Sequence, residues 1–525
     1  MTVADGGRTV IVPGPDQNFD RRVDPEGSQR DAGIPQALYM ENVMPTTNGY
    51  QSVGYIRPTS DMIKAPARYI IASQEIYVGK SEKTMIFQDS LGDLTSGYQG
   101  TESVTVVGTA PSFNTVFTSA SVNGVSYLYS SLLPRLYTAT VPVLTLTEIT
   151  ASVTPTNFLS IAGIKFILGF ANYLIAVSDD RIYWSSLTTP TDFTASLVSG
   201  SGSIVPNNLT GTISRVAVSS EGFYLFTAFT CVFVQYTGNA RYPFKFTSVT
   251  GFDGLKFVFP FIATVWGDIN SSSVYAVNSD NSVKVLNRAT ALPVDPQLSD
   301  FLCNTVVQET FNYATNQFTV AAQSTRCAAV HFHANRYLVV SINDNTETQR
   351  SQYTHALIID TVLRRTGRLK VLHKFTFSCD LLFGPLFATK GIIGFVDGEA
   401  GVIKYCSLTF YDLPIPLDAN YEPAQGALLL GKFQYVRSSM MKMEEIEIEG
   451  PQNTAIVSSP NFSCALIPSQ DGRNFDTPIP LSPTRISGGL VEYHCHNTAK
   501  NHSLLLKGAF SVNTVQLKFV TAGDR

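Results

Sequence analysis

The chain has 525 residues, 44% hydrophobic and 11% aromatic, which supports a large buried core and excludes intrinsic disorder. Its formal net charge of −4 argues against a basic saddle that grips nucleic acid. Only 15% of residues are charged, with Ser, Thr and Asn in their place, a composition suited to a surface covered by neighbours.

The seven cysteines (Cys231, Cys303, Cys327, Cys379, Cys406, Cys464, Cys495) are widely spaced and form no C-x-x-C. They read as reduced, mostly buried thiols of a protein assembled in a cytoplasm. The N-terminus carries neither a basic n-region nor an apolar h-region, so no signal peptide is expected. Residues 164–177, the longest apolar run, are interrupted by Lys165 and Asn172 and are too short to span a bilayer.

In chain order, residues 1–33 are rich in Gly, Asp, Pro and Arg without periodicity and read as an extended arm. Residues 34–58 hold two short apolar pieces around the turn Pro45-Thr46-Thr47-Asn48-Gly49. Leu38, Tyr39, Met40 and Tyr50 on so short a segment need a partner surface, and with Arg57 they are the candidate subunit interface. Packing on the chain's own propeller is the other possibility. On the interface reading, removal of residues 1–58 leaves a folded chain that no longer forms rings.

From 67 to 407 a strand–turn rhythm dominates. Residues 163–193 show its unit: apolar runs 166–170 and 173–177 break at Ala171-Asn172, and Asp179-Asp180 turns the chain into Arg181-Ile182-Tyr183-Trp184-Ser185. Short β-branched and aromatic runs between Asx and Pro turns read as antiparallel strands. Three or four such strands on about thirty to forty residues are the sequence form of one propeller blade. A first pair is expected at 69–72 and 75–79, and Asn278-Ser279-Asp280-Asn281 is a good hairpin turn. About six such groups are present. Helical periodicity is nearly absent, 298–312 being the best candidate for a short helix.

Pro414, Pro416 and Pro423 mark a linker, beyond which longer alternating strands and the tight turn Asp471-Gly472 suggest a β-sandwich. The fold expected is therefore all-β: a β-propeller-like domain (67–407) followed by a C-terminal β-sandwich (408–525), with an extended N-terminal arm and platform segment (1–66).

Three features carry a resemblance. They are Asn42-x-x-Pro45 with Gly49-Tyr50 and Gly54-Tyr55-Ile56-Arg57-Pro58; Arg181 to Ser185 with Pro190-x-x-Phe193; and Ser469-Gln470-Asp471-Gly472-Arg473-Asn474-Phe475. In this order and spacing the chain resembles the tail nozzle, or tail hub, proteins of short-tailed bacteriophages, a family that includes the packaged-DNA stabilisation proteins. The resemblance implies a structural virion protein in the tail: a ring of six copies below the portal and adaptor, meeting tail fibres or tail-tip proteins. Its lumen would hold the genome and conduct it during ejection, touching duplex DNA only transiently and non-specifically.

Other motifs carry plainer readings. Gly426-Ala427-Leu428-Leu429-Leu430-Gly431-Lys432-Phe433 mimics a phosphate loop, but Phe433 replaces the magnesium-binding hydroxyl and three leucines fill the cradle, so a strand is expected. His331-Phe332-His333 and His494-Cys495-His496 each place two imidazoles on one strand face, without a third metal ligand. Residues 469–475 superficially resemble the Asp-box turn of sialidases, with the spacing off by a residue. Glu75, Glu309, Asp360 and Glu399 could serve a glycosidase, but no spacing singles out a pair. In Glu444-Glu445-Ile446-Glu447-Ile448-Glu449, the residues Glu445, Glu447 and Glu449 share a face, read as solvated or as a DNA-channel lining that repels phosphates.

The reading is a non-enzymatic protein with no catalytic residues, no metal and no cofactor. A propeller glycosidase or lectin acting on cell-surface glycan, and a monomeric propeller scaffold, stay open.

Overall fold

A computed structural model describes residues 7–13, 36–46, 49–52, 56–58, 67–78, 82–89, 93–98, 104–109, 117–131, 134–140, 145–149, 158, 161–239, 241–256, 265–280, 282–294, 308–312, 317–321, 327–333, 336–343, 352–363, 365–376, 392–397, 403–407, 426–433, 440–450, 462–470 and 476–522. Among these residues no α-helix occurs and strands dominate. The fold is all-β.

The local cause is visible in residues 166–177. Phe166–Phe170 and Tyr173–Val177 pair antiparallel, and the two loop residues Ala171 and Asn172 have φ of 51° and 65°. Two consecutive positive φ values are what a two-residue hairpin with strand-matched twist requires. Asn123-Gly124, with φ of 52° and 78°, closes the Phe117–Val122 and Val125–Ser130 hairpin in the same way.

Five four-stranded antiparallel sheets follow one another. The first holds Ala67–Val78, Glu82–Asp89, Asp93–Tyr98 and Val104–Thr109. The second holds Phe117–Val122, Val125–Ser130, Arg135–Thr140 and Thr145–Ile149. Phe166–Phe170, Tyr173–Val177, Ile182–Trp184 and Gly202–Ile204 form the third. Arg215–Ser219, Gly222–Phe226, Cys231–Tyr236 and Phe244–Ser248 form the fourth, and Val265–Trp266, Val274–Val277, Val283–Asn287 and Thr290–Pro293 the fifth. A sixth meander, Cys327–His333, Tyr337–Asn343, Gln352–Asp360 and Arg365–Thr376, lies within a ten-stranded sheet.

The first strand of each meander packs on the first strand of the next, from Ala67–Val78 through to Cys327–His333. That is the radial stacking of propeller blades. It also explains why Tyr173–Val177 is apolar throughout. Tyr173, Ile175 and Val177 face the fourth blade, with Phe223, Leu225 and Val234, while Leu174 and Ala176 face the second, with Tyr129 and Leu136. A strand buried on both faces loses its polar alternation. Ring contacts seal the seam between the third and fourth blades, with centroids 5.5 Å apart for Trp184–Phe244 and 5.8 Å for Tyr173–Phe244.

Ile392–Asp397 and Ile403–Ser407 extend the sheet from Arg365–Thr376, and Ile56–Pro58 pairs with Ile403–Ser407. Strands from before and after the six meanders thus share one sheet.

Beyond the blades, two five-stranded sheets face each other. One runs Gly7–Pro13, Thr514–Ala522, Met440–Glu449, Leu490–Ala499, Arg485–Ser487; the other runs Gln36–Glu41, Gly426–Phe433, Asn501–Gly508, Ser463–Ser469, Ile479–Leu481. Between them lie Met443, Ile446, Ile448, Val491, Tyr493, Leu504, Leu506, Val515 and Leu517. Val43–Pro45 pairs with Arg365–Thr376 and with Tyr50–Ser52, which pairs with Ser511–Val512. One sheet therefore runs from the sixth blade into the sandwich.

Four expectations change. Gly7–Pro13 of the expected arm is an edge strand paired with Thr514–Ala522, and Gln36–Glu41 of the expected platform segment edges the second sheet, so both complete the sandwich. Met40 and Tyr50, at 4% and 1% exposure, are packed in their own chain's core and have no side-chain surface left for a neighbouring subunit. Residues 69–79 were expected as two strands, but Ala67–Val78 is one strand with three register shifts against Glu82–Asp89. The described part of the helical candidate, Gln308–Asn312, is a strand paired with Gln317–Ala321, as its β-branched and aromatic Thr310 and Phe311 allow.

Candidate functional site

Met440–Glu449 is the central strand of its sheet, between Thr514–Ala522 and Leu490–Ala499. Ile446 and Ile448 are fully buried in the sandwich core, and alternation turns Glu445, Glu447 and Glu449 outward. A bulge between Met443 and Glu445 interrupts both pairings, leaving Glu444 outward as well, where Lys442 Nζ lies 3.2 Å from its Oε1.

Register fixes what faces each carboxylate. Glu445 lies opposite His494 and Lys518, and Lys518 Nζ is 3.5 Å from its Oε2. Glu447 lies between Glu492 and Gln516, and Glu449 between Leu490 and Thr514. Arg485 Nη1 donates to Glu492 Oε1 at 3.2 Å. Among the described side chains of this face the five carboxylates Glu444, Glu445, Glu447, Glu449 and Glu492 meet three cations, Lys442, Arg485 and Lys518, a surplus of two negative charges. His494 and His496 stand exposed on the same face, with Cys495 turned into the core.

The other sequence candidates disperse. Leu38, Tyr39 and Arg57 fall on Gln36–Glu41 and Ile56–Pro58, but their side chains lie outside the described part. So do the side chains of His331, His333, Glu75 and Glu309, while Glu399 and residues 471–475 lie outside the described residues altogether. Among the described residues no three His, Cys, Asp or Glu are grouped to hold a metal ion. Gly426–Phe433 is a strand of the sandwich, with Leu428 and Leu430 in its core.

Asp360 is fully buried and engaged. Arg336 donates Nε at 2.8 Å and Nη2 at 2.5 Å to its Oδ2, and the Val362 and Leu363 amides each donate to Oδ1 at 3.0 Å. Four donors on one carboxylate fix the turn after Gln352–Asp360, which is a structural task. Cys231, Cys464 and Cys495 are free and buried, and burial raises each thiol, Cys495 to about 11, which makes them poor nucleophiles.

Sequence reasoning missed the pair Glu221–Arg288, which ties the fourth blade to the fifth with Arg288 Nε 2.6 Å from Oε2 and Nη2 3.0 Å from Oε1. Its partners are 67 residues apart and each reads alone as a solvated charge.

No family model and no curated protein matches the chain. Among solved structures it is similar to the WD40 propeller domain of Doa1, with TM-score 0.37 and 9% identity over 67% of this chain and 97% of that one. It is also similar to the Cps50 (Swd1) β-propeller domain of Myceliophteria thermophila, with TM-score 0.39 and 9% identity over 66% and 99%. For YCF48 bound to D1 peptide the values are 0.37 and 10%, over 66% and 96%. Likeness of this degree carries no residue-level or functional comparison. The blade arrangement rests on the strand order and packing of the chain itself.

Proposed function

We propose that this chain is a structural protein of a short-tailed phage virion, a ring-forming tail nozzle that retains packaged DNA and conducts it during ejection. The observation that carries this reading is where its first resemblance motif falls. Asn42 to Pro45 and Gly49-Tyr50 lie in the hairpin that joins the sixth blade to the sandwich, so the motif sits at the junction of the two domains.

The mechanism is geometric and electrostatic. Six copies surround a passage below the portal and adaptor and meet fibre or tip proteins at the other end. The Glu445, Glu447 and Glu449 face turns toward the DNA, and its surplus of negative charge repels phosphates so that the duplex slides without adhering. No catalytic step, metal or cofactor is needed.

Particles assembled with a tagged copy and labelled with antibody–gold test the placement. Gold at the tail supports the reading; gold on the head, or tagged protein left out of the particle, contradicts it.

A further inference from the structure

Arg368 lies within Arg365–Thr376, opposite Leu357 on one side and Val43 on the other. It is 5% exposed, and its neighbours Leu357 and Val43 are 3% and 0% exposed. Leu357 belongs to the core between the fifth and sixth blades and Val43 to the sandwich core. The Arg368 side chain, all but 5% buried, thus starts beside residues of both apolar bodies. Nε is cut off from solvent and donates to nothing, and among the described residues Arg368 forms no hydrogen bond or ion pair. The contrast with Arg336, which meets Asp360 in the same meander, is direct.

An arginine keeps its charge at physiological pH, so burial is not relieved by losing a proton as it would be for lysine or histidine. A water molecule can accept from Nε–H but leaves the charge uncompensated. Buried charges in folded proteins are paired, because an isolated one is strongly destabilising. Thr366, two residues back on the same strand face and 3% exposed, adds a hydroxyl to that face.

We propose that Arg368 anchors a small-oxyanion site at the seam between propeller and sandwich, which takes a carboxylate or phosphate group on the guanidinium fork. The fork matches both anions through two parallel N–H donors. A ligand held there ties the sixth blade to the sandwich. The site is independent of the tail reading.

The test uses the full chain exchanged into an oxyanion-free buffer. Inorganic phosphate and acetate are titrated in separate arms, each against sodium chloride at matched ionic strength, with calorimetric binding and thermal unfolding as readouts. The expected result is saturable binding of at least one of the two, one site per chain, with a Tm rise beyond that of chloride. Arg368→Met melts at or above the wild-type temperature in oxyanion-free buffer, because an unpaired cation is replaced by an apolar chain of similar length. It should lose roughly tenfold or more in affinity. Arg368→Lys, which keeps the charge without the fork, supplies the same comparison should the methionine variant not fold, and it too should bind more weakly. No saturable binding of either anion to the wild type, or undiminished binding by the folded variants, overturns the site.

Discussion

Gly367 lies directly beneath the carbonyl of Val43: a methyl on Gly367 would sit 2.6 Å from Met44 Cα and nearer still to the Val43 oxygen. The absence of a side chain there lets the Val43–Pro45 strand cross the sixth blade and carry one sheet from the propeller into the sandwich. Steric room, rather than backbone conformation, is what this position demands.

Gly367→Ala should therefore destabilise the chain by about 1–3 kcal/mol, the usual cost of forcing extra volume into a packed site. A drop in the urea midpoint checks this. An unchanged midpoint would mean that the hairpin does not rest on the blade.

Removal of residues 1–58 should now disrupt the sandwich. It takes away both N-terminal edge strands and strips Met40, Val43 and Tyr50 from the core. Tyr50→Ala alone should cost about 3 kcal/mol or more. Limited proteolysis of the truncated chain should cut first within 426–522, and a sandwich as resistant as that of the full chain would contradict this.

Much of the blade region is legible in the sequence because its causes are local. Ala171-Asn172 marks a turn by its chemistry, and the apolar runs on either side are the strands. The sandwich is less legible because its pairings are remote: Val10 lies opposite Leu517, and nothing in residues 7–13 announces a partner some five hundred positions on. The Glu445–Glu449 face follows from alternation, yet Lys518 and Arg485, which neutralise part of it, are placed by register alone. Asp360 looks catalytic as a lone carboxylate and becomes structural only beside Arg336.

His502 makes the stability of the sandwich pH-dependent. It is fully buried, with Nε2 3.1 Å from Asn497 Oδ1 and Nδ1 without a partner. Burial lowers its pKa from 6.5 to about 4. The unfolded chain thus binds a proton that the folded chain refuses between those two values. Stability is complete above about 6.5 and falls as pH drops toward 4, by about 3 kcal/mol. His502→Leu should flatten the slope of unfolding free energy against pH in that window. An identical slope in the variant would rule out His502 as its source.

Glu445, Glu447 and Glu449 replaced together by glutamine should slow genome release from triggered particles while assembly proceeds. Folding should be little affected, since the Glu445–Lys518 pair lies near the surface and such pairs contribute at most about 1 kcal/mol. Dye-detected DNA release reads the rate, and an unchanged rate removes the face from the channel wall.

The most direct measurement is cryo-electron microscopy of portal–adaptor particles incubated with the full chain, at a resolution that separates blades. The expected map shows six copies closed around a passage wide enough for duplex DNA, each a propeller with its sandwich attached through the sixth blade. Particles that stay bare, or single subunits bound without a ring, would contradict it.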